Sequence, residues 1–524
     1  MSLVSKFLSV GSATMASRIL GFAREALMAA ALGAGPVADA FYAAFRFPNL
    51  FRRLFAEGAF NAAFVPLFAK EIEGGGPDGA RRFSEEVFGV LFSVLLILTI
   101  VMELSMPFLV RTVIAPGFAG DADKFDLTVR LAIIMFPYLM CMSLAAMMSG
   151  ILNSLHKYFA AAFAPVFFNI ILIGVLGYAL YNGLDPETVV TNMAWGVIAA
   201  GLLQLLIVAV AVRKAGMTIG FRRPALTPNV KRLLWLAAPA AVTGGITQIN
   251  LVIGQIIASG KDGAISVLQY ADRVYQLPLG VVGIAVGVVL LPELARALKA
   301  GHMVEAATLQ NRSVEFALFL TLPATAALLT IGDPIVRLLY ERGAFSPETT
   351  ATVGGVLSIF GIGLPAFVLI KTFTPGFFAR EDTRTPMIFA GISVALNIVL
   401  ALTLFPIIAE RGIATAEICS GWTNATLLFV TLVRRGHWEI DRATLTRVIR
   451  LAIAAALMAA FFHFGVDYIA PWVRPSSALW QQLVALLGFL AAGFVFYVVV
   501  AFAIGGADMG ALRRGIRRKP KTPA

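Results

Sequence analysis

Side chains suited to catalysis or metal binding are scarce in this chain. It has two cysteines and four histidines in 524 residues. Cys141 and Cys419 lie far apart, each in an apolar run, with no Cys-x-x-Cys pair. That leaves no basis for a disulfide framework or a zinc site. His156, His302, His437 and His463 are isolated from one another, so no metal and no cofactor is expected. Charge is scarce as well. Charged residues make up 14% of the chain, against about 25% in a soluble protein. This excludes an ordinary cytosolic enzyme, a disordered chain and a nucleic-acid-binding tail. No phosphate-cradling Gly-x-x-x-x-Gly-Lys-Ser/Thr loop occurs. Gly254…Gly260-Lys261-Asp262 fails in spacing and in its final residue, so nothing suggests ATP hydrolysis.

What is abundant is apolar. Hydrophobic residues are 59% of the chain and the mean hydropathy is +0.84. A membrane helix needs about 20 such residues. Apolar runs bounded by turn signals fall near 5–33, 38–70, 87–114, 128–153, 160–181, 189–212, 232–258, 266–297, 310–332, 348–374, 386–408, 412–433, 447–465 and 480–504. They predict an all-α polytopic membrane protein with about 14 transmembrane helices. The start resembles a signal peptide in having Lys6, an apolar stretch and Ala29-Ala30-Ala31. Arg18, Arg24 and Glu25 interrupt it, so an uncleaved first helix is the better reading.

The net charge of +12 tests the topology. Loops after even-numbered helices hold Arg81, Arg82, Arg213, Lys214, Arg222, Arg223, Arg434 and Arg435, among others. The opposite loops hold few cations, such as Lys124 and Lys261, mostly beside acids such as Asp121, Asp123 and Asp262. The asymmetry is about threefold and predicts cytoplasmic N- and C-termini. A weak repeat relates Pro48…Val65-Pro66-Leu67 to Pro278…Leu291-Pro292-Glu293. It also relates Asn169-Ile170-Ile171-Leu172 to Asn397-Ile398-Val399-Leu400. Both offsets are six helices, an even number, so the repeat is parallel. The expected organisation is an N-terminal lobe (1–215), a C-terminal lobe (216–440), a final helix pair (441–506) and a basic cytoplasmic tail (507–524).

The first hairpin carries Arg18, Arg24, Arg46, Arg52 and Arg53. Each arginine at a helix centre costs about 2.5–3.5 kcal/mol on insertion scales. One can snorkel; five in one hairpin are expected to line water or to pair. Glu25, Asp39 and Glu57 are the local acids. Arg24 lies about 17 Å from the Gly35-Pro36 turn by helix rise, and Arg273 about 15 Å from the start of its helix. Both fall near mid-membrane, which predicts that they face one cavity. Planar guanidinium groups bind phosphate bidentately, so such a cavity suits a pyrophosphate head group. Plainer readings stand beside this one. Arg52 and Arg53 serve equally as anchors of a shorter span. Arg46 could pair with Asp39 or Glu25, Arg24 with Glu25, and Arg273 with Asp272. Lys371 could be a snorkelling anchor, and Gly283-x-x-x-Gly287 ordinary close packing.

These residues carry a resemblance. Ser17-Arg18-Ile19-Leu20-Gly21-Phe22-Ala23-Arg24-Glu25, Asp39-Ala40-Phe41, Pro48-Asn49-Leu50-Phe51-Arg52-Arg53 and Phe55-Ala56-Glu57-Gly58-Ala59-Phe60 are similar to the opening of the MviN/MurJ family of lipid II flippases. Tyr270-Ala271-Asp272-Arg273 and Lys371…Pro375-Gly376-Phe377-Phe378-Ala379-Arg380 match later motifs. The family lies in the multidrug/oligosaccharidyl-lipid/polysaccharide exporter superfamily. The resemblance implies two six-helix lobes around a cationic cavity, with a groove for the lipid tail at the last two helices. It implies substrate-binding roles for Arg18, Arg24, Arg52, Arg53 and Arg273, and structural or coupling roles for Asp39, Glu57 and Lys371. One departure is Gln276, where some members carry an acid.

The expected function is to flip lipid II, the peptidoglycan precursor, across the bacterial inner membrane by alternating access. Its partners are then lipid II, membrane lipids and cell-wall synthesis proteins, without nucleic acid. Three alternatives remain. One is a flippase for another polyprenyl-linked oligosaccharide. A cation or drug antiporter would favour cavity carboxylates, and a polyprenyl-phosphate enzyme needs a base or a metal-binding acid cluster.

Overall fold

The computed structural model describes residues 3–52, 60–474 and 477–507, without the side chains at 3–10, 62, 240–247, 281–289 and 291. Every regular element among them is a helix. In chain order the first eight α-helices are α1 (Leu3–Leu32), α2 (Pro36–Arg52), α3 (Phe60–Leu104), α4 (Met106–Leu109), α5 (Ala122–Met135), α6 (Tyr138–Ser154), α7 (Phe159–Asn182) and α8 (Pro186–Lys214). Then come α9 (Pro228–Ala258), α10 (Ala264–Lys299), α11 (Met303–Thr330), α12 (Gly332–Tyr340), α13 (Pro347–Phe378), α14 (Arg384–Ile408), α15 (Glu410–Arg434), α16 (Arg442–Ile469) and α17 (Leu479–Ala503). Among the described residues, ten helical segments are long and apolar enough to cross a membrane. The other four expected spans correspond to α1, α2, α9 and α10.

Local chemistry explains the ends. Asp185, Thr227, Ser346 and Asp441 cap α8, α9, α13 and α16 by accepting from the N–H three residues on. In the first three a proline follows at the first helical position, where its missing N–H costs nothing. Of the 38–70 run, α2 and α3 carry residues 38–52 and 60–70, and the residues between lie outside the described ones. The glycine-rich turn at 74–77 divides α3 into two helical segments, as expected, at Gly76, with φ 65° and ψ −166°, a backbone state open to glycine. The 128–153 run breaks at Phe136-Pro137 into α5 and α6, because proline cannot donate to the helix ladder.

The chain forms two compact units. The first comprises residues 1–266 together with Arg342–Phe345, so it includes α9 and the first turn of α10. Here α1 packs along α7, α2 against α5, and α3 against α6 and α9. One core cluster stacks Phe64 on Phe60, Phe68 and Phe83 at centroid distances of 5.2–5.7 Å. Residues 342–345 join it through Ala344 N–H, which donates to Ala30 O at 2.8 Å. Gly33 and Gly343 sit there at positive φ, and a Cβ on either would strike the other strand's backbone.

The second unit comprises residues 267–341 and 346–524. In it α15 packs on α13 and α14, and α11 on α13 and α16. The final pair, α16 and α17, closes on a core of Phe462, Phe489 and Tyr497. Tyr497 hydroxyl donates to Phe319 O at 3.0 Å. The outer faces of α17 expose Val484, Leu487, Val495 and Val499. A helix apolar on all sides belongs in lipid.

Candidate functional site

Two buried ionic nodes organise the first unit. The first is centred on Arg24 in α1. Its Nη2 donates to Glu25 Oε2 and its Nη1 to Asn169 Oδ1, both at 3.1 Å. Tyr42 of α2 donates its hydroxyl to Glu25 Oε1 at 2.8 Å. Asn169 is fixed in turn, because its Nδ2 donates to Ser17 O at 3.0 Å. The guanidinium also lies 5.4 Å from the Phe168 ring centroid. The Arg24 side chain is 12% exposed and that of Glu25 1%. Burying such a pair is repaid only where further hydrogen bonds satisfy it. Among the described residues, Arg24 Nε has no acceptor.

The second node is centred on Asp39. The sequence left it as a candidate partner of Arg46; its charged partner here is Lys124, whose Nζ is 3.1 Å from Oδ2. Lys124 also reaches Asp262 at 2.7 Å and lies 3.9 Å from the Phe118 ring centroid. Asp39 further accepts from Gly263 N–H at 2.7 Å, Ser266 N–H at 2.9 Å and Ser266 hydroxyl at 2.8 Å. Its carboxylate is fully buried.

The other sequence candidates are placed as follows. Arg18 is exposed on α1 and pairs with no carboxylate among the described residues. Arg52 Nε donates to Asn49 Oδ1 at 2.8 Å. Arg53 and Glu57 lie outside the described residues. In the second unit, Arg273 is half-buried on α10, and Lys371 is exposed on α13. Neither makes a hydrogen bond or ion pair with a described residue. The Arg273–Asp272 pair, the plainer alternative, is therefore not formed; Asp272 accepts from Gln276 one turn on. An ionised acid at position 276 could not donate that bond.

A family model described as lipid II flippase MurJ matches residues 28–482. The chain belongs to the MurJ lipid II flippase family. A probable lipid II flippase MurJ of Rhizobium meliloti (strain 1021) is 68% identical, over 99% of this chain and 97% of the relative. The lipid II flippase MurJ of Burkholderia cenocepacia is 34% identical, over 96% of this chain and 98% of the relative. Among solved structures, a lipid II flippase MurJ in an inward closed conformation matches with TM-score 0.75 at 23% identity, over 97% of this chain and 99% of that one. An inward-facing MATE multidrug resistance transporter matches with TM-score 0.66 at 14% identity, over 82% of this chain and 97% of that one. At these identities the structures speak for the fold alone. It is the multi-pass helical fold of MurJ and MATE proteins, and the MurJ family is one of transporters rather than enzymes.

Sequence reasoning missed several members of the MurJ-family chain's nodes, Lys124 and Asn169 among them. Lys124 reads as a loop charge, yet it sits in the first turn of α5 with its side chain 2% exposed. Its signal was the surplus of acids on that side of the membrane. Asn169 was visible only as half of a repeat; a polar residue deep in an apolar run was the available clue.

Proposed function

We propose that this protein moves lipid II from the cytoplasmic to the periplasmic leaflet of the inner membrane by alternating access, with its intramembrane arginines holding the pyrophosphate. Membership of the MurJ family carries the reading. The chemistry supports it. Arg18, Arg52, Arg53 and Arg273 offer planar forks suited to phosphate oxygens. Arg24 offers one too, but only by exchange: a phosphate oxygen replaces Glu25, and Tyr42 keeps hold of the released carboxylate. Asp39, Glu57 and Lys371 support the arginines or couple them to movement.

In this reading the N-terminal lobe, the C-terminal lobe and the final helix pair are built from residues 1–215, 216–440 and 441–506. Both termini, including the basic tail, lie in the cytoplasm. Reporter fusions at Asp123 and Arg222 are expected to report periplasm and cytoplasm respectively. Finding both on one side ends the orientation.

Cells depleted of their own flippase and supplied with this chain are the decisive test. Lipid II should become accessible in the outer leaflet with its mass unchanged, and should stay inside when Arg273→Ala is supplied. A change in the lipid's mass points to an enzyme instead. Transport of other polyprenyl-linked oligosaccharides with equal efficiency would widen the substrate class.

A further inference from the structure

The second unit holds an apolar cavity of its own. It lies between α11, α13, α15 and α16 and has a volume of about 200 Å³. A single water needs only about 10–15 Å³, so the space is far larger than a packing defect. One corner is built of three rings: Phe373, Phe429 and Trp438 meet at centroid distances of 5.5–5.9 Å. Leu369 of α13, and Leu445 and Val448 of α16, face the same space. The polar edges of the walls are mostly spent on protein. Trp438 N–H donates to Asn311 Oδ1 at 2.8 Å, Trp422 N–H to Ile362 O at 3.1 Å, and the Thr444 hydroxyl to Glu315 at 2.6 Å. Bound water needs two to four polar partners. Hydrocarbon needs none, and these walls suit hydrocarbon.

The place of the cavity says which hydrocarbon. Phe429 and Trp422 lie five and twelve residues before the end of α15 at Arg434, about 8 and 18 Å along the axis. Half of the hydrocarbon core of a bilayer is about 15 Å. The cavity therefore lies at the depth of one leaflet. Its rim residues Trp422, Ile440 and Leu445 are exposed, which sets the mouth between α15 and α16. Beside that mouth stand Arg434, ending α15, and Arg442, opening α16. Both are exposed, and neither guanidinium makes a hydrogen bond or ion pair with a described residue. Of the nearby acids, Asp441 caps α16 and Asp382 takes Arg435. Glu439 is left as one exposed carboxylate against two guanidinium groups.

We propose that this cavity holds one acyl chain of a glycerophospholipid of the cytoplasmic leaflet, with the lipid phosphate at Arg434 and Arg442. The choice of leaflet rests on the proposed orientation; the site itself does not depend on what the protein transports. A phospholipid chain has the depth of a leaflet because it forms the leaflet. A polyprenyl tail is several times longer than this space. No residue of α17 lines the cavity, so it is separate from the groove implied at the last two helices. The bound chain becomes part of the packing between α13, α15 and α16.

The tryptophans supply the test. Trp195, Trp235, Trp472 and Trp480 are exposed and are changed to Phe, which leaves Trp422 and Trp438 at the cavity. Phosphatidylglycerol with brominated acyl chains is titrated into this purified protein in detergent, because bromine quenches tryptophan emission on contact. Quenching should saturate near one lipid per protein and should be reversed by unbrominated phosphatidylglycerol. Val448→Phe, which fills the cavity, should raise the half-saturating concentration about tenfold, or about 1.4 kcal/mol. Arg434→Gln with Arg442→Gln should raise it several-fold. Quenching that never saturates, or that is the same with Val448→Phe, overturns the proposal. Reversal by lipid II but not by phosphatidylglycerol gives the cavity to the substrate's tail and overturns it too. If Val448→Phe does not accumulate, the two exposed arginines decide, and an unchanged affinity is equally fatal. None of these readings uses transport, so failure of the proposed function leaves them standing.

Discussion

Four cations of the two units are held in two ways. In the first, Arg24 is held by Glu25 and Asn169, and Lys124 by Asp39 and Asp262. In the second, Arg273 and Lys371 have no hydrogen-bonding or ionic partner among the described residues. Asn169, buried in an apolar helix, is committed to an arginine. A cation sealed against a carboxylate works for stability first. In the proposed function, a cation without a described protein partner is left for an anion from outside. Positive charge in a membrane segment is thus not one signal but two.

The largest expected effect separates these roles. Removing one member of a buried pair leaves an uncompensated charge, at a cost of about 3–5 kcal/mol. Lys124→Met should therefore lower the thermal unfolding temperature of the purified protein sharply. Arg273→Ala breaks no described pair, so its stability should stay within about 0.5 kcal/mol of wild type, while growth support is lost. Equal destabilisation by both changes would erase the distinction between the two ways of holding a cation.

Arginine geometry gives the next effect. Arg24 uses separate nitrogens for Glu25 and Asn169, a fork that a lysine ammonium does not reproduce. Arg24→Lys should retain less growth support than charge counting suggests. Normal growth with Lys at both 24 and 273 contradicts a clamp built on bidentate contacts. Asn169→Ala should cost about 1.5–3 kcal/mol, the range for a hydrogen bond to a charged group.

Much of this was readable beforehand, and the failures share a cause. Helix positions follow from apolar runs and turn residues, which are local. The Arg24–Glu25 pair was legible because its members adjoin. Asp39 drew attention as an acid in an apolar hairpin, but its partner was not legible. Lys124 lies 85 residues away and Ser266 lies 227 away, and no periodicity encodes such distances. α12 escaped for another reason: nine residues, Gly332–Tyr340, are too few for a membrane run, and its polar positions read as loop. The break between α5 and α6 was signalled by Pro137, but the surrounding run is apolar enough to mask it.

The smallest effect concerns an ion pair of the second unit at a loop. The loop lies before α14. Asp382 accepts from Arg435 at 2.8 Å and from the Thr385 hydroxyl and N–H at 2.6 and 2.9 Å. The Thr385 bonds first, then the arginine, hold the Asp382 carboxyl down to about 2. A folded value below the ordinary carboxylate value of 3.8 means that the contribution to stability is fully present above about pH 4–5. It is lost as pH falls towards 2. Arg435 is 44% exposed on its side chain, so water screens the pair and its worth is about 1 kcal/mol or less. Asp382→Ala should therefore lower the unfolding temperature slightly at pH 7 and by the same amount at pH 6. The difference from wild type should shrink below pH 4. A large, pH-independent loss would mean that Asp382 holds the loop by shape rather than by charge.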